Sequence, residues 1–207
     1  YGYGRRYINK QSCEICTKQQ KSWEDAYLGE TTIDETIEKY YQKEMDLQCL
    51  SYPEIACVRY SKDIIADWFC GKLLSKTLPD IFEIINRKPS SEDIHPSNIP
   101  QFSDLEDAYL ETPKILSLSG QMMSYNELGT YLDNGLDKNE IAQRKYGENH
   151  SKLATLLDLV VITTNNNSYK VALSNFGLAF CKRTDDEKRK LTARLFLRVP
   201  IIQKMLI

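Results

Sequence analysis

Apolar side chains recur at helical spacing in two segments of the N-terminal part of the chain. The first segment begins at a capping box formed by Thr32 and Glu35 and continues to about residue 47. The second begins at Ser61 and ends near Ser75. Its apolar positions are Ile64, Ile65, Trp68, Phe69 and Leu73. The pattern predicts two amphipathic helices in this part.

A proline-rich segment separates these helices from the rest of the chain. Residues 88–100 contain three Pro and three Ser, and proline opposes regular structure because it fixes φ and lacks an N–H. We therefore predict a helical N-terminal domain at 1–88, a linker at 89–102 and a second domain at 103–207.

The second domain opens with three capping signals in succession. They pair Ser103 with Glu106, Ser124 with Glu127, and Asp137 with Glu140. The third predicted helix carries Ile141 on its apolar face. Gly147 then interrupts the pattern, which predicts a tight turn and a new helix from about Asn149 to Asp158.

Strand-like runs follow this helix. Residues 159–163 and 169–173 flank a polar, Asn-rich tip, which is typical of a β-hairpin. Ser174 then caps a further helix. The order helix, helix, glycine turn, helix and hairpin predicts a winged helix-turn-helix. The expected fold class is mainly α with a small β-hairpin wing.

Composition and charge fit a globular protein with an anionic partner. The chain has 207 residues, 27 Lys and Arg, 29 Asp and Glu, and 42% hydrophobic residues. It lacks both a run of about 18 apolar residues and a secretory leader, so we expect a cytoplasmic protein without a membrane span. Residues 1–120 carry a net charge of −6 and residues 121–207 one of +4. The C-terminal half is therefore the part expected to meet an anion.

In a helix-turn-helix, the second helix enters the major groove of double-stranded DNA. The candidate DNA-binding side chains are Arg144, Lys145, Asn149, His150, Ser151, Lys152, Thr155, Asn166 and Lys170. Asn can bind adenine, and Lys can bind guanine or phosphate. Some of these have a simpler alternative: Asn149 as a helix cap, His150 packed at the turn, and the Asn run as a loop tip. Glu148 and Asp158 near this face would repel phosphate.

Three segments of the second domain resemble the winged-helix recognition domains of type II restriction endonucleases. They are residues 142–154, residues 171–177 and residues 197–206. The resemblance covers about residues 121–207 and implies sequence-specific recognition of double-stranded DNA in a restriction-type protein. Ser174 stands where that family usually has Thr.

The family's metal-dependent nuclease pattern is not convincing in this chain. Pro79-Asp80 matches the start of the PD-(D/E)-x-K pattern, but Glu83 is followed by Ile84 and Ile85 and not by the x-Lys that the pattern requires. Asp186-Glu-Lys188 matches the second half, but it lies in a charged segment typical of a solvated helix face. Whether the chain is an enzyme is therefore left open, and Mg²⁺ is expected only if it is a nuclease.

Cysteine spacing raises the question of a structural Zn²⁺ site. Cys13 and Cys16 have the spacing of a zinc knuckle, and Cys49 and Cys57 are the nearest further ligands. Buried free thiols are the main alternative, and a redox disulfide is another.

The sequence thus favours double-stranded DNA binding through a winged helix. The alternatives are an α-helical assembly scaffold and an intact metal-dependent endonuclease. The chain does not begin with Met and ends in an apolar run. We therefore expect a piece of a longer protein, with a homodimer or a further domain beyond Ile207 left open.

Overall fold

Helices make up most of the described part of the chain. The computed structural model describes residues 32–46, 62–75, 101, 104–133, 137–165 and 168–206. The helices are α1 (Ile33–Asp46), α2 (Lys62–Ser75), α3 (Thr112–Ser119), α4 (Tyr125–Asp133), α5 (Glu140–Leu156), α6 (Asn175–Cys181), α7 (Asp185–Phe196) and α8 (Pro200–Leu206). The strands are β1 (Met123–Ser124), β2 (Val160–Asn165) and β3 (Ser168–Leu173). The prediction of a mainly α chain with a small β element is confirmed.

Local hydrogen bonds explain where the helices begin. The Glu35 N–H lies 3.1 Å from Thr32 Oγ1, and the Thr32 N–H lies 3.2 Å from Glu35 Oε2. The same reciprocal pair joins Ser124 and Glu127 at the start of α4. Each box satisfies two backbone donors that the first helical turn leaves without a partner. The helix starts predicted at these two boxes are confirmed.

The helix predicted to start at Ser103 takes a different form. Residue 103 lies outside the described residues, and a π-helical segment, Asp107–Glu111, leads directly into α3. The Thr112 hydroxyl donates a hydrogen bond to the Asp107 carbonyl at 2.7 Å. The helical structure therefore continues from the π-helical segment to Ser119.

The sheet has three antiparallel strands in the order β1-β3-β2. The predicted hairpin is confirmed, with Val160 opposite Leu173 and Asn165 opposite Ser168. Met123 pairs with Val171, which adds β1 to the outer edge of β3. The sequence did not predict β1, because two residues are too few to show alternation.

One hydrophobic core joins the described helices from both parts of the chain. Phe69 and Leu73 of α2 belong to the same buried cluster as Phe176 and Phe180 of α6. Asp34 of α1 also accepts a hydrogen bond from the Asn175 N–H at 2.8 Å. The N-terminal helices therefore pack on α6. The predicted linker lies outside the described residues except for Gln101, so the domain boundary stays a prediction.

Among the described helices, none has both the length and the apolar character that a membrane span requires.

Candidate nucleic-acid interface

A buried carboxylate lies between the end of α4 and the start of α5. Asp133, the last residue of α4, accepts hydrogen bonds from the Lys138 N–H and Nζ, both at 2.9 Å, and from Gln143 Nε2 at 3.0 Å. Burial by itself raises the pKa of Asp133, but the hydrogen bonds from Gln143 and Lys138 outweigh it and lower the pKa below its ordinary value. This carboxylate therefore ties the end of α4 to the first turn of α5.

Helix α5 is capped by Asn139, which corrects two predictions from the sequence. The Asn139 side-chain oxygen accepts a hydrogen bond from the Ala142 N–H at 2.9 Å, as an N-cap side chain does. Asp137, the predicted cap, has a φ of 50° and lies in the preceding turn. Asn149, the predicted start of a later helix, lies inside α5 and caps nothing.

Gly147 allows two helices to touch and does not turn the chain. Helix α5 runs through it without a break. A Cβ atom at Gly147 would lie 2.8 Å from the Gly129 nitrogen and closer still to the Tyr125 carbonyl oxygen. A Cβ at Gly129 would lie 2.5 Å from the Gln143 carbonyl carbon. The tight turn predicted at Gly147 is wrong, because the glycine serves the close crossing of α4 and α5.

Three predicted DNA-binding side chains are exposed on the outer face of α5. They are Arg144, Lys145 and Lys152. Lys152 Nζ lies 2.6 Å from Glu148 Oε1, one helical turn earlier. Within the described part of the chain, Arg144 and Lys145 have no ion-pair partner. This face therefore offers two unpaired cations and one that is already neutralised.

Two other predicted side chains, His150 and Ser151, point into the protein. Their exposed fractions are 1% and 0%. Ser151 Oγ donates a hydrogen bond to the Gly147 carbonyl at 2.5 Å, and His150 Nδ1 lies 2.8 Å from the Tyr146 carbonyl oxygen. A carbonyl group one turn earlier on the same helix satisfies each of these two atoms, whereas His150 Nε2 is buried without a hydrogen-bond partner among the described residues. The prediction that these residues face a duplex is therefore wrong.

The remaining predicted residues lie on the flank of α5 or on the hairpin. Asn149 and Thr155 are half-buried, and the Thr155 hydroxyl donates to the Ser151 carbonyl at 2.9 Å. Asn166 lies outside the described residues. Lys170, on β3, is half-buried and places its Nζ 3.4 Å from Glu127 Oε2.

Glu127 therefore connects the start of α4 to the hairpin. The hydrogen bonds from Ser124 lower the pKa of Glu127, and the positive charge of Lys170 lowers it further. Because the carboxylate stays ionised, it partly neutralises Lys170 on the face that the sequence assigns to DNA.

A polar cluster holds the inner side of α5. The Tyr146 hydroxyl donates to the Asp107 carboxylate of the π-helical segment. Lys138 Nζ lies 4.2 Å from the centroid of the Tyr146 ring, and the His150 ring lies 4.1 Å from that ring. The hydrogen bond to Asp107 holds α5 against the π-helical segment.

The end of α5 contains a buried ion pair. Asp158 follows the helix with a φ of 58°, and its N–H donates to the Thr155 carbonyl at 2.9 Å. Its carboxylate pairs with Arg198, and both side chains are buried. The expectation that Asp158 repels phosphate is wrong, because Arg198 neutralises it inside the protein. Glu148, the other acid considered, is paired with Lys152.

Sequence reasoning missed Ile141 as a surface residue. The apolar pattern assigned it to the buried face, whereas 74% of the side chain is exposed near the start of α5. It lies one helical turn before Lys145. The exposed face therefore combines an apolar side chain with cations, and periodicity alone gave no signal of this.

The predicted zinc ligands Cys13, Cys16, Cys49 and Cys57 all lie outside the described residues. Cys70 and Cys181 are free thiols. In the part of the chain that the structure describes, no three His, Cys, Asp or Glu side chains are grouped as a metal site requires. The zinc knuckle therefore stays a prediction.

Comparison with known proteins does not assign the chain to a family. The chain matches no family model, and the searches of curated proteins and of solved structures give no significant match.

Proposed function

We propose that residues 105–173 form a winged helix that binds double-stranded DNA through the outer face of α5. The topology supports this. The chain runs from a helix through β1, α4 and α5 into the β2-β3 hairpin, and β1 closes the sheet in the order β1-β3-β2. In this arrangement α5 takes the place of the recognition helix and the hairpin takes the place of the wing.

The observation that carries the proposal is the pair of unpaired cations on α5. Arg144 and Lys145 are exposed near the start of this helix. Residues in the N-terminal part of a recognition helix contact base edges and phosphates. A cation without an acid partner can bind phosphate directly, because no existing ion pair has to break first. The face expected to contact DNA thus lies about one helical turn earlier than the sequence predicted.

Ile141 fits the same role. An exposed apolar side chain on a recognition helix can contact the methyl group of thymine. Its position one turn before Lys145 places it among the side chains that would enter the groove. The restriction-type role implied by the resemblance stays a prediction, and no observation on the described residues supports a nuclease site.

Fluorescence anisotropy with a labelled random duplex tests the proposal. For Arg144→Ala and Lys145→Ala, we expect weaker binding and a slope of log affinity against log salt that is reduced by about 1 for each lost phosphate contact. Lys114→Ala is the matched control, because Lys114 is exposed on α3 and ion-paired with Glu111 at 3.0 Å. Equal affinity and equal salt slope in all three variants and the parent would refute the proposal.

An assembly surface is the second candidate, and Ile141 is the observation that favours it. Tyr131 of α4 is also 63% exposed, and such apolar surface can form a protein interface. Sedimentation of the chain separates the two functions. Self-association that resists salt and is lost in Ile141→Asp would support assembly, whereas a monomer at all concentrations would exclude self-assembly through this face.

A further inference from the structure

An aromatic stack lies on the inner side of the hairpin, next to α5. Tyr169 is on the same face of β3 as Val171, because alternate residues of a strand share a face. Val171 is fully buried, whereas Tyr169 extends past the core and stacks on Tyr125. The ring centroids are 5.4 Å apart and the planes differ by 16°. Tyr169 stays 47% exposed, since Tyr125 covers only one side of its ring.

The Tyr125 backbone lies against Gly147 of α5, three residues after Arg144 and one before Glu148. Burial raises the pKa of Tyr125, the Glu148 carboxylate and Tyr169 raise it further, and the Arg144 guanidinium acts in the opposite direction. Arg144 and Glu148 therefore lie near Tyr125, the buried ring of the stack. Arg144 has no ion-pair or hydrogen-bond partner among the described residues. We call the surface formed by Tyr125, Tyr169, Arg144 and Glu148 the wing cleft.

We propose that the wing cleft binds an unpaired nucleobase of DNA, stacked on the open face of Tyr169 with Arg144 on the adjacent phosphate. This inference rests on the proposed DNA binding and adds the class of DNA that binds best. An aromatic ring accepts any base by stacking, and a neighbouring cation matches the phosphate of the same nucleotide. In a paired duplex the faces of the bases are hidden, so only an extruded or unpaired base can reach the ring.

The Glu148 carboxylate fits the same ligand. Lys152 neutralises it in part, which reduces its repulsion of phosphate. A carboxylate accepts hydrogen bonds from the exocyclic amino groups of bases, as Glu does from cytosine. The wing cleft thus offers a stacking surface, a cation and an acceptor, which together match one nucleotide.

The test uses the full chain and two duplexes labelled with 2-aminopurine that differ only at the position opposite this base. In one duplex 2-aminopurine is paired with thymine, and in the other it lies opposite an abasic site. We expect about tenfold tighter binding to the abasic duplex, with a fall in 2-aminopurine fluorescence on binding. Tyr169→Phe should keep both effects, and Tyr169→Leu should lose them.

Tyr131→Leu is the matched control, because Tyr131 is an exposed tyrosine on α4. Equal affinity for the two duplexes with unchanged fluorescence would overturn the wing cleft and leave the proposed duplex binding intact. Equal losses in Tyr131→Leu and Tyr169→Leu would overturn it as well. Failure of the parent chain to bind either duplex would overturn both proposals. Circular dichroism checks that each variant is folded.

Discussion

The close contact of α4 and α5 at Gly147 predicts that Gly147→Ala lowers the free energy of unfolding. A glycine that made no such contact would give the opposite sign. A Cβ at this position would lie 2.8 Å from Gly129 N, 3.0 Å from the Tyr125 carbonyl carbon and closer still to its oxygen. All three are backbone atoms, so no side-chain rotation can relieve the overlap. Overpacking typically costs about 1–3 kcal/mol, and here we expect the upper end.

Helix propensity acts in the opposite direction, because alanine is favoured over glycine inside a helix by about 1 kcal/mol. We therefore expect Gly147→Ala to lower the free energy of unfolding by about 2 kcal/mol. For a chain of this length, that corresponds to a decrease in Tm of roughly 5 °C. Urea denaturation followed by circular dichroism measures the change directly.

Gly71 provides the matched control. It also lies inside a helix, α2, but a Cβ there would meet nothing within 4 Å. Gly71→Ala should thus raise the free energy of unfolding by up to about 1 kcal/mol through propensity alone. If Gly147→Ala stabilised the protein as Gly71→Ala does, α4 and α5 would not touch at this point and the position of α5 would be wrong.

Three further predictions concern charges and a thiol. Asp158→Asn removes the negative charge that faces the buried Arg198 guanidinium, which should cost about 3–5 kcal/mol in urea unfolding. Since Asn also tolerates a positive φ, a change below about 0.5 kcal/mol would disprove the ion pair. The pKa of Asp133 is lowered by hydrogen bonds against the effect of burial, so its carboxylate stabilises the fold above pH about 4 and this contribution is lost as the pH falls. Asp133→Asn should therefore flatten the dependence of the urea midpoint on acid pH, and an unchanged profile would contradict this. Burial raises the pKa of Cys70 to about 12, so iodoacetamide at neutral pH should modify it slowly in the folded protein and rapidly in urea. Mass spectrometry of its peptide measures both rates, and equal rates would show that Cys70 is not buried.

The sequence by itself determined the features that depend on neighbouring residues. The capping boxes at Thr32 and Ser124, the hairpin and the Ser174 cap all use hydrogen bonds between residues close in the chain. Such contacts involve residues close in the chain, so their patterns are visible in the sequence, whereas the start of α5 lies at Asn139 and not at the predicted Asp137. Arg144 and Lys145 are exposed, and their role in DNA binding stays a prediction.

Tertiary contacts decided the course of α5 and the face that it presents. In isolation Gly147 indicates a break, but here Gly129 and Tyr125 come so close that only glycine fits. His150 and Ser151 suggested an outer surface because they are polar. Packing buries both side chains, and carbonyl groups of their own helix are hydrogen-bonded to Ser151 Oγ and His150 Nδ1, which hydrophobic periodicity does not register.

Contacts between residues far apart in the chain also explain why the sequence did not predict β1 or the wing cleft. Met123 becomes a strand residue only when Val171 lies beside it, and Tyr169 faces Tyr125 only because α4 and β3 pack together. Local hydrogen bonds thus set where the elements begin, and distant parts of the chain set which side chains remain free. Since a binding surface is made of the side chains left free, its exact composition depends on packing between residues far apart in the sequence.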